Sequence, residues 1–390
     1  MAKKKEEKDT NEFYAFLENK YKAYFEPDVY KTGIVALDEV LNGGLETGSL
    51  IELSSESQAG KSTLVLHLAK NFAEKGLKTL YIDSEGSVKN DMLKGIGLLP
   101  YLSTADNKRN MFTLVRESGY SKVEELISMA LQNEDFKLFV IDSLTALTYD
   151  DYLDLDSKKD IVDHQIGLDA RLNGRLLKKL NALKTTYNCI FIIINQTRTN
   201  MGGYVVTKES TGGQAVKFYP DVRLFMKVKE KIQDEKELII GKQKIYIGAN
   251  CTIEAKKSRV GSGFIQFPIT IYYGKGVSNL TAYVNLLPTI KVNGKPVLKQ
   301  LSPVSYELNV NGKKYNTSKG KNGLNTLIVE HYDELVPIVE EHLENFYKKV
   351  ADGLTDIESE EIIEEVQSED YELDDTLIEE ENEQTNNQID

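Results

Sequence analysis

The sequence predicts an α/β fold with a mostly parallel, twisted sheet covered by helices on both faces. Between about residues 31 and 275, short apolar runs alternate with helical patterns, the order of a parallel sheet with crossover helices. Leu138-Phe139-Val140-Ile141 and Ile190-Phe191-Ile192-Ile193-Ile194 carry no polar residue, as strands buried on both faces require. A third observation places ligand chemistry on that sheet. Glu56-Ser57-Gln58-Ala59-Gly60-Lys61-Ser62-Thr63 stands between a strand-like run at 50–53 and a helical pattern at 61–75. Gly-Lys-Ser at a strand-to-helix turn is the P-loop arrangement, in which backbone N–H groups and a helix N-terminus cradle phosphate.

Residues 1–30 are charged, then aromatic. Phe13, Tyr14, Leu17, Tyr21, Tyr24 and Phe25 fall near helical spacing. They predict an N-terminal helical arm, ended by Pro27, that packs on its own core or on a neighbouring subunit. In the core, 31–275, strands are expected at 50–53, 79–82, 111–114, 138–141, 189–194, 222–227, 244–255 and 266–272. Helical patterns lie at 35–42, 61–75, 88–96, 121–133 and 166–187, and the strands of 222–272 are expected to be antiparallel. Residues 276–351 predict a small basic C-terminal domain. Between 275 and 325, Lys275, Lys291, Lys295, Lys299, Lys313, Lys314, Lys319 and Lys321 stand against one acid, Glu307. Asn293-Gly294 and Asn311-Gly312 read as hairpin turns, and 324–350 as helix. The tail, 352–390, is acidic, low in complexity and expected to be disordered.

The formal net charge is −13, yet seventeen Asp and Glu lie after Lys349, so residues 1–349 carry about +4. A mildly basic body with an acidic tail is compatible with nucleic-acid binding, the tail competing for the basic surface; a solvated tail that only aids solubility is the plainer alternative. Cys189 and Cys251 fit no metal spacing or paired framework and read as core thiols of a reducing cytosol. The Lys-rich start is followed by no apolar stretch, and no apolar run reaches transmembrane length, so a cytoplasmic protein without membrane partners is expected.

Polar groups at strand ends extend the reading. Asp142 ends an apolar strand where a P-loop enzyme places a Mg²⁺ ligand. Asp83-Ser84-Glu85 ends another, and a carboxylate there can activate water. Asn195-Gln196-Thr197-Arg198 follows a third and offers a neutral amide to a γ-phosphate. Ligands bind at this edge of an open α/β sheet. One departure stands out: the full P-loop motif opens on Gly, and that position here is Ser55, which accepts φ > 0 less easily.

These residues, with Gly167-Leu168-Asp169-Ala170-Arg171 and Thr211-Gly212-Gly213-Gln214-Ala215-Val216-Lys217-Phe218-Tyr219-Pro220-Asp221, resemble the RecA family of homologous-recombination ATPases over about 30–275. The divergent C-terminal region resembles the bacteriophage, UvsX-like branch. The resemblance implies a RecA-type P-loop ATPase core that takes ATP and Mg²⁺. It implies that Ser57, Gln58, Ala59, Gly60, Lys61, Ser62 and Thr63 bind phosphate, that Ser62 and Asp142 hold the metal, that Glu85 activates water and that Gln196 senses the γ-phosphate. In the family ATP lies between protomers, and the neighbour's basic pair corresponds to Lys257 and Arg259; a solvated charge run is the competing reading. Ile166 and Met201 correspond to positions that wedge between bases, Arg171, Lys178 and Arg198 to phosphate contacts, and Gly202, Gly212, Gly213 and Gln214 to backbone and side-chain donors. Phe218 couples the two sites or is simply core, and the adenine-stacking position falls near Met92.

The implied function is a DNA-dependent ATPase that forms helical filaments on single-stranded DNA and pairs it with homologous duplex. Implied partners are both DNA forms, further copies of the chain, and single-stranded-DNA-binding and mediator proteins. A hexameric helicase with the same core and a non-catalytic, ATP-regulated mediator stay open as alternatives. Residues 1–30 are short for a helicase's separate N-terminal domain, and Glu85 argues against the mediator.

Overall fold

A computed structural model describes residues 27–107, 110–133, 135–149, 165–200, 207–233, 245–258 and 266–351. The expected arm up to residue 26, most of the polar segment 149–167, and the acidic tail lie outside the described residues. The chain divides into two units, Met1–Glu340 and Glu341–Asp390. Of the second unit, residues 341–351 are described, and they are helical.

The first unit is built on a ten-stranded sheet. Its parallel part holds β3 (Leu50–Ser55), β4 (Lys78–Asp83), β5 (Phe112–Val115), β6 (Phe136–Asp142) and β7 (Ile190–Asn200), in the order β3-β7-β6-β4-β5. A small pair, β1 (Val29–Tyr30) and β2 (Leu45–Glu46), precedes it. Alternation explains the apolar runs. Ile51, Leu53, Leu138, Val140, Ile190, Ile192 and Ile194 enter one core, with α1 (Val35–Val40), α2 (Lys61–Glu74) and α3 (Asn90–Ile96). Leu50, Phe139, Ile141, Phe191 and Ile193 enter the other, with α4 (Tyr120–Asn133), α5 (Gln165–Thr186) and α6 (Gln214–Phe218). A sheet covered on both faces leaves only its edge for chemistry.

On the other side of β3, β9 (Val222–Gln233) departs from the expected antiparallel pattern. It pairs parallel with β3 from Ile51↔Val222 to Ser55↔Met226. The antiparallel run begins only with β10 (Tyr246–Lys257), β11 (Gln266–Tyr272) and β12 (Gly276–Ser278). β9 is the pivot because α6 and the bend after it return the chain to the start of β3, where the Leu50 N–H donates to Asp221. A short strand, β8 (Thr207–Ser210), folds back on the end of β7.

Past the sheet come α7 (Leu280–Leu286), the pair β13 (Lys291–Val292) and β14 (Lys295–Pro296), and a three-stranded sheet of β15 (Leu298–Ser302), β16 (Ser305–Val310) and β17 (Lys313–Thr317). Asn293, Gly294, Asn311 and Gly312 all have φ between 49° and 76°. Two consecutive left-handed residues are what a type I′ hairpin turn demands, so both Asn-Gly steps are turns. The expected helix at 324–350 is two helices, α8 (Gly320–Glu330) and α9 (Tyr332–Ala351). They part at His331, whose ring contacts Glu334 of the next turn at 2.9 Å.

Candidate active site

Parallel register lines up the polar strand ends. Ser55 of β3 stands opposite Gln196 of β7, Ile194 of β7 opposite Asp142 of β6, and Asp142 opposite Asp83 of β4. Since β7 lies between β3 and β6, Gln196 comes between the phosphate loop and Asp142. Lys61, Ser62, Glu85, Asp142 and Gln196 line one cleft of about 640 Å³, together with Ser57, Gln58, Ala59, Gly60 and Thr63. That volume suits a small-molecule ligand.

The loop before α2 turns on two left-handed residues, Gln58 (φ 61°) and Gly60 (φ 93°). Its outer side rests on the antiparallel strands. Tyr273 Oη donates to the Gln58 carbonyl at 3.1 Å, and Cys251 Sγ lies 3.9 Å from the Ala59 carbonyl. A Cβ on Gly60 would stand 2.9 Å from Ile271 Cγ2. Left-handed backbone costs a residue with a Cβ about 1–2 kcal/mol, before any clash. Gly60→Ala is therefore expected to destabilise the fold by about 1–2 kcal/mol or more; an unchanged denaturant midpoint would refute this account of the loop.

Ser55 has a physical explanation. It is fully buried strand backbone, and it is absent from the positive-φ positions, so no glycine is required there. Its Oγ donates to the Glu56 carbonyl at 2.7 Å and accepts from Lys61 Nζ at 2.9 Å. Lys61 Nζ also donates to the carbonyls of Glu56 (3.1 Å) and Ser55 (3.5 Å). Burial lowers the Lys61 pKa, while the Asp142 and Glu85 carboxylates work against that shift.

The carboxylates divide their work. Asp83 accepts the backbone N–H groups of Ser87 (3.0 Å) and Val88 (2.9 Å), so it builds the turn after β4. That turn presents Glu85, whose Oε1 accepts from Ser143 Oγ at 2.5 Å and from Gln196 Nε2 at 3.3 Å. Asp142 is 1% exposed and accepts from Tyr81 Oη at 2.5 Å. Burial raises its pKa to about 6, and hydrogen bonds from Tyr81 and Ser62 oppose the rise. The Ser62 hydroxyl and Asp142 carboxylate form an all-oxygen donor set of the kind Mg²⁺ takes beside substrate phosphates. The loop, Lys61 and this pair therefore fit a magnesium-bound triphosphate.

The expected DNA-contacting positions fall into two groups. Arg171 and Lys178 are exposed on α5, seven residues apart and so on one face. Gly212 and Gly213 lie against the same helix: a Cβ on Gly213 would be 3.0 Å from Ala170 Cβ, and Asn173 Nδ2 donates to the Gly212 carbonyl at 3.4 Å. Gln214 opens α6 and is exposed. Ile166 lies in the first turn of α5, and Arg198 lies in β7 opposite Glu209 of β8. Met201, Gly202 and Arg259 lie outside the described residues. Lys257 Nζ donates to the carbonyls of Pro220 (2.7 Å) and Phe218 (2.9 Å). Phe218 itself is 68% exposed, which excludes the simple-core reading.

Sequence reasoning passed over Tyr81, Ser143 and Asn195. A tyrosine inside a buried strand needs a partner for its hydroxyl, and Tyr81 finds Asp142. Asn195 Nδ2 donates to Glu52 (2.9 Å) and to the Thr211 carbonyl (2.8 Å), and its Oδ1 accepts the Gln196 N–H (2.8 Å). It thus ties Gln196 to the far end of the glycine-rich segment. Cys189 and Cys251 are buried, and burial raises their pKa values to about 12 and about 11, which keeps both thiols protonated.

The family described as the RecA N-terminal domain matches residues 15–278. The chain belongs to the RecA family. Protein RecA of Ehrlichia canis (strain Jake) is 29% identical to it over 261 residues, 66% of this chain and 67% of that protein. Protein RecA of Ehrlichia ruminantium (strain Gardel) is 30% identical over the same length. Protein RecA of Phytoplasma mali (strain AT) is 30% identical over 273 residues, 68% of this chain and 75% of that protein. These relatives come from cellular organisms and lend the expected bacteriophage subtype no support. The RecA match ends at Ser278, the last residue of β12, so the basic segment after it lies beyond the matched region.

Proposed function

We propose that this RecA-family chain is a DNA-dependent ATPase that assembles as a helical filament on single-stranded DNA and exchanges its strand with homologous duplex. The observation that carries the proposal is the convergence of Lys61, Ser62, Glu85, Asp142 and Gln196 on one cleft. Lys61 exchanges its carbonyl and Ser55 acceptors for phosphate oxygens. Glu85, oriented by Ser143, takes a proton from water as the water oxygen bonds to the γ-phosphorus and the bond to the ADP oxygen breaks. Ser62 and Asp142 would hold Mg²⁺, which would supply positive charge beside the transferring phosphoryl group. Lys257 and Arg259 of a neighbouring protomer complete the site in the manner of arginine fingers.

Gln196 is the link to DNA. Its amide donates to Glu85 and is free to turn to the γ-phosphate when that appears, and its strand continues into the β7–β8 hairpin. Arg171, Lys178, Arg198, Gly202 and the Gly212-Gly213-Gln214 segment contact the DNA backbone, with Ile166 and Met201 at the bases. Such contacts read no sequence and weaken with salt. The exposed Phe218 and the arm before residue 30 pack on the neighbouring protomer. The lysines of 275–321, each exposed, capture duplex DNA. The protein works in the cytoplasm beside single-stranded-DNA-binding and mediator proteins; among the described residues no helix is long and apolar enough to cross a membrane.

Steady-state ATPase measured with and without single-stranded DNA tests this reading, with Lys61→Ala as the inactive control. Hydrolysis indifferent to DNA would count against it. Electron microscopy with single-stranded DNA and a slowly hydrolysed analogue should show continuous filaments, whereas discrete rings favour a helicase. Deleting residues 352–390 removes seventeen acids and is expected to strengthen duplex binding and flatten its salt dependence. No change in either property would dismiss the tail as a competitor.

A further inference from the structure

A buried amide joins three separate parts of the chain beneath the exposed side of α5. Asn173 is 3% exposed. Its Oδ1 accepts the Tyr120 hydroxyl at 2.7 Å, and its Nδ2 donates to the Gly212 carbonyl at 3.4 Å. Chemistry fixes which way the amide lies. Reversed, its oxygen would face the Gly212 carbonyl, acceptor against acceptor. Tyr120 opens α4, is buried, and is itself held, because its N–H donates to the Thr148 carbonyl at 3.1 Å. One turn further along α4, Glu124 takes Lys179 at 3.1 Å and Arg175 at 3.5 Å, so the two helices are fastened along a second line. On the other side of Asn173 the backbone comes close. A Cβ on Gly212 would stand 3.2 Å from Asn173 Nδ2 and 3.0 Å from Val216 Cγ2.

The amide thereby orients a peptide group. In a trans peptide the carbonyl and the N–H that follows it point in opposite directions. The Gly212 carbonyl turns inward to Asn173, so the Gly213 N–H turns outward, at a residue that is exposed. Gly212 and Gly213 have φ of 105° and 88°, a left-handed pair that two glycines adopt without strain. We infer that Tyr120 and Asn173 are positioning residues of the DNA site, fixing the Gly212–Gly213 peptide so that its N–H meets a phosphate of the strand held by Arg171 and Lys178. The inference rests on the DNA-binding reading of α5 and the 212–214 segment. Neither residue touches DNA. The tyrosine is needed because a buried amide oxygen, turned away from Gly212, requires a donor, and the Tyr120 hydroxyl supplies it.

Binding of a labelled oligo-dT strand to the full chain, in Mg²⁺ with a slowly hydrolysed ATP analogue, tests this. Asn173→Leu keeps the branched shape and loses both hydrogen bonds. It is expected to weaken strand binding about tenfold, the loss of one hydrogen bond to a charged group. Tyr120→Phe removes one hydroxyl and should weaken binding severalfold. In both variants the Kd for the analogue and ATP turnover without DNA should keep their wild-type values. The slope of log Kd against log salt should also hold, because no cation is lost, whereas Arg171→Ala should make it shallower by about 0.7. Glu124→Gln loosens the same pair of helices without touching the amide, and strand affinity should not fall. A fall there equal to that of Asn173→Leu would reduce the effect to helix packing and overturn the inference. Unchanged strand affinity in both Asn173→Leu and Tyr120→Phe, or a parallel loss of analogue affinity, would overturn it as well. If the wild type binds the analogue but no strand, the DNA reading of α5 fails first and takes this inference with it.

Discussion

Replacing Glu85 by Gln is expected to lower ATP turnover by about 10²–10⁴-fold, the usual contribution of a general base, while ATP affinity changes little. The expectation comes from what the carboxylate touches. Ser143 Oγ and Gln196 Nε2 both donate to Glu85 Oε1, at 2.5 Å and 3.3 Å, so the group is oriented by two donors, one just past the end of β6 and one in β7. A glutamine carbonyl oxygen can accept both bonds, which preserves the geometry. It cannot take a proton from water at neutral pH. The variant therefore isolates proton transfer from positioning. Turnover should fall with no matching change in the Kd for ATP, and filaments formed with ATP should persist instead of dissolving as ATP is consumed. A loss of ATP affinity as large as the loss of turnover would reassign Glu85 to binding. Near-normal turnover would remove it from the proton path.

The same residues show how far the sequence could be read. The P-loop, Asp142, Glu85 and Gln196 were legible because strand ends carry short-range signals: an apolar run, then one polar residue at a fixed place on the sheet edge. The strands from Leu50 to Tyr272 were legible for the same reason, since period and composition mark buried strands. Direction was not. β9 pairs parallel with β3 and antiparallel with β10, and which pairing follows depends on where α6 returns the chain, a long-range matter. The supporting groups were also hidden. Ser143 reaches Glu85 across 58 residues, and Asn195 reaches Glu52 across 143. No local pattern encodes either contact. Ser55 was conspicuous in the sequence, but only the position of the Lys61 ammonium explains why a hydroxyl is at home there.

Asp142→Asn should separate stability from function most sharply. Burial raises the Asp142 pKa from its ordinary 3.8 to about 6, so the folded state takes up this proton more readily than the unfolded chain. The stabilisation from protonation is fully present below about pH 4 and is lost as pH rises through about 6. Above that, a buried charge remains, and a rise of this size corresponds to about 3 kcal/mol against the nucleotide-free fold. Asparagine is neutral at every pH, fits the same space and can still accept the Tyr81 hydroxyl. The variant is thus expected to be about 1–3 kcal/mol more stable than wild type at pH 7.5, with the difference vanishing near pH 4. Denaturant melts at the two pH values measure it. In the same variant, the proposed mechanism predicts loss of magnesium-dependent turnover, because it assigns the Asp142 charge to the cation beside Ser62. The two effects have one cause. On the proposed reading, a carboxylate buried beneath a phosphate site is unfavourable until a cation and a triphosphate arrive, so the empty site gives up stability for function. Equal stability of variant and wild type at pH 7.5 would mean that the Tyr81 and Ser62 hydrogen bonds already compensate the buried charge. Retained turnover would move the cation to other ligands.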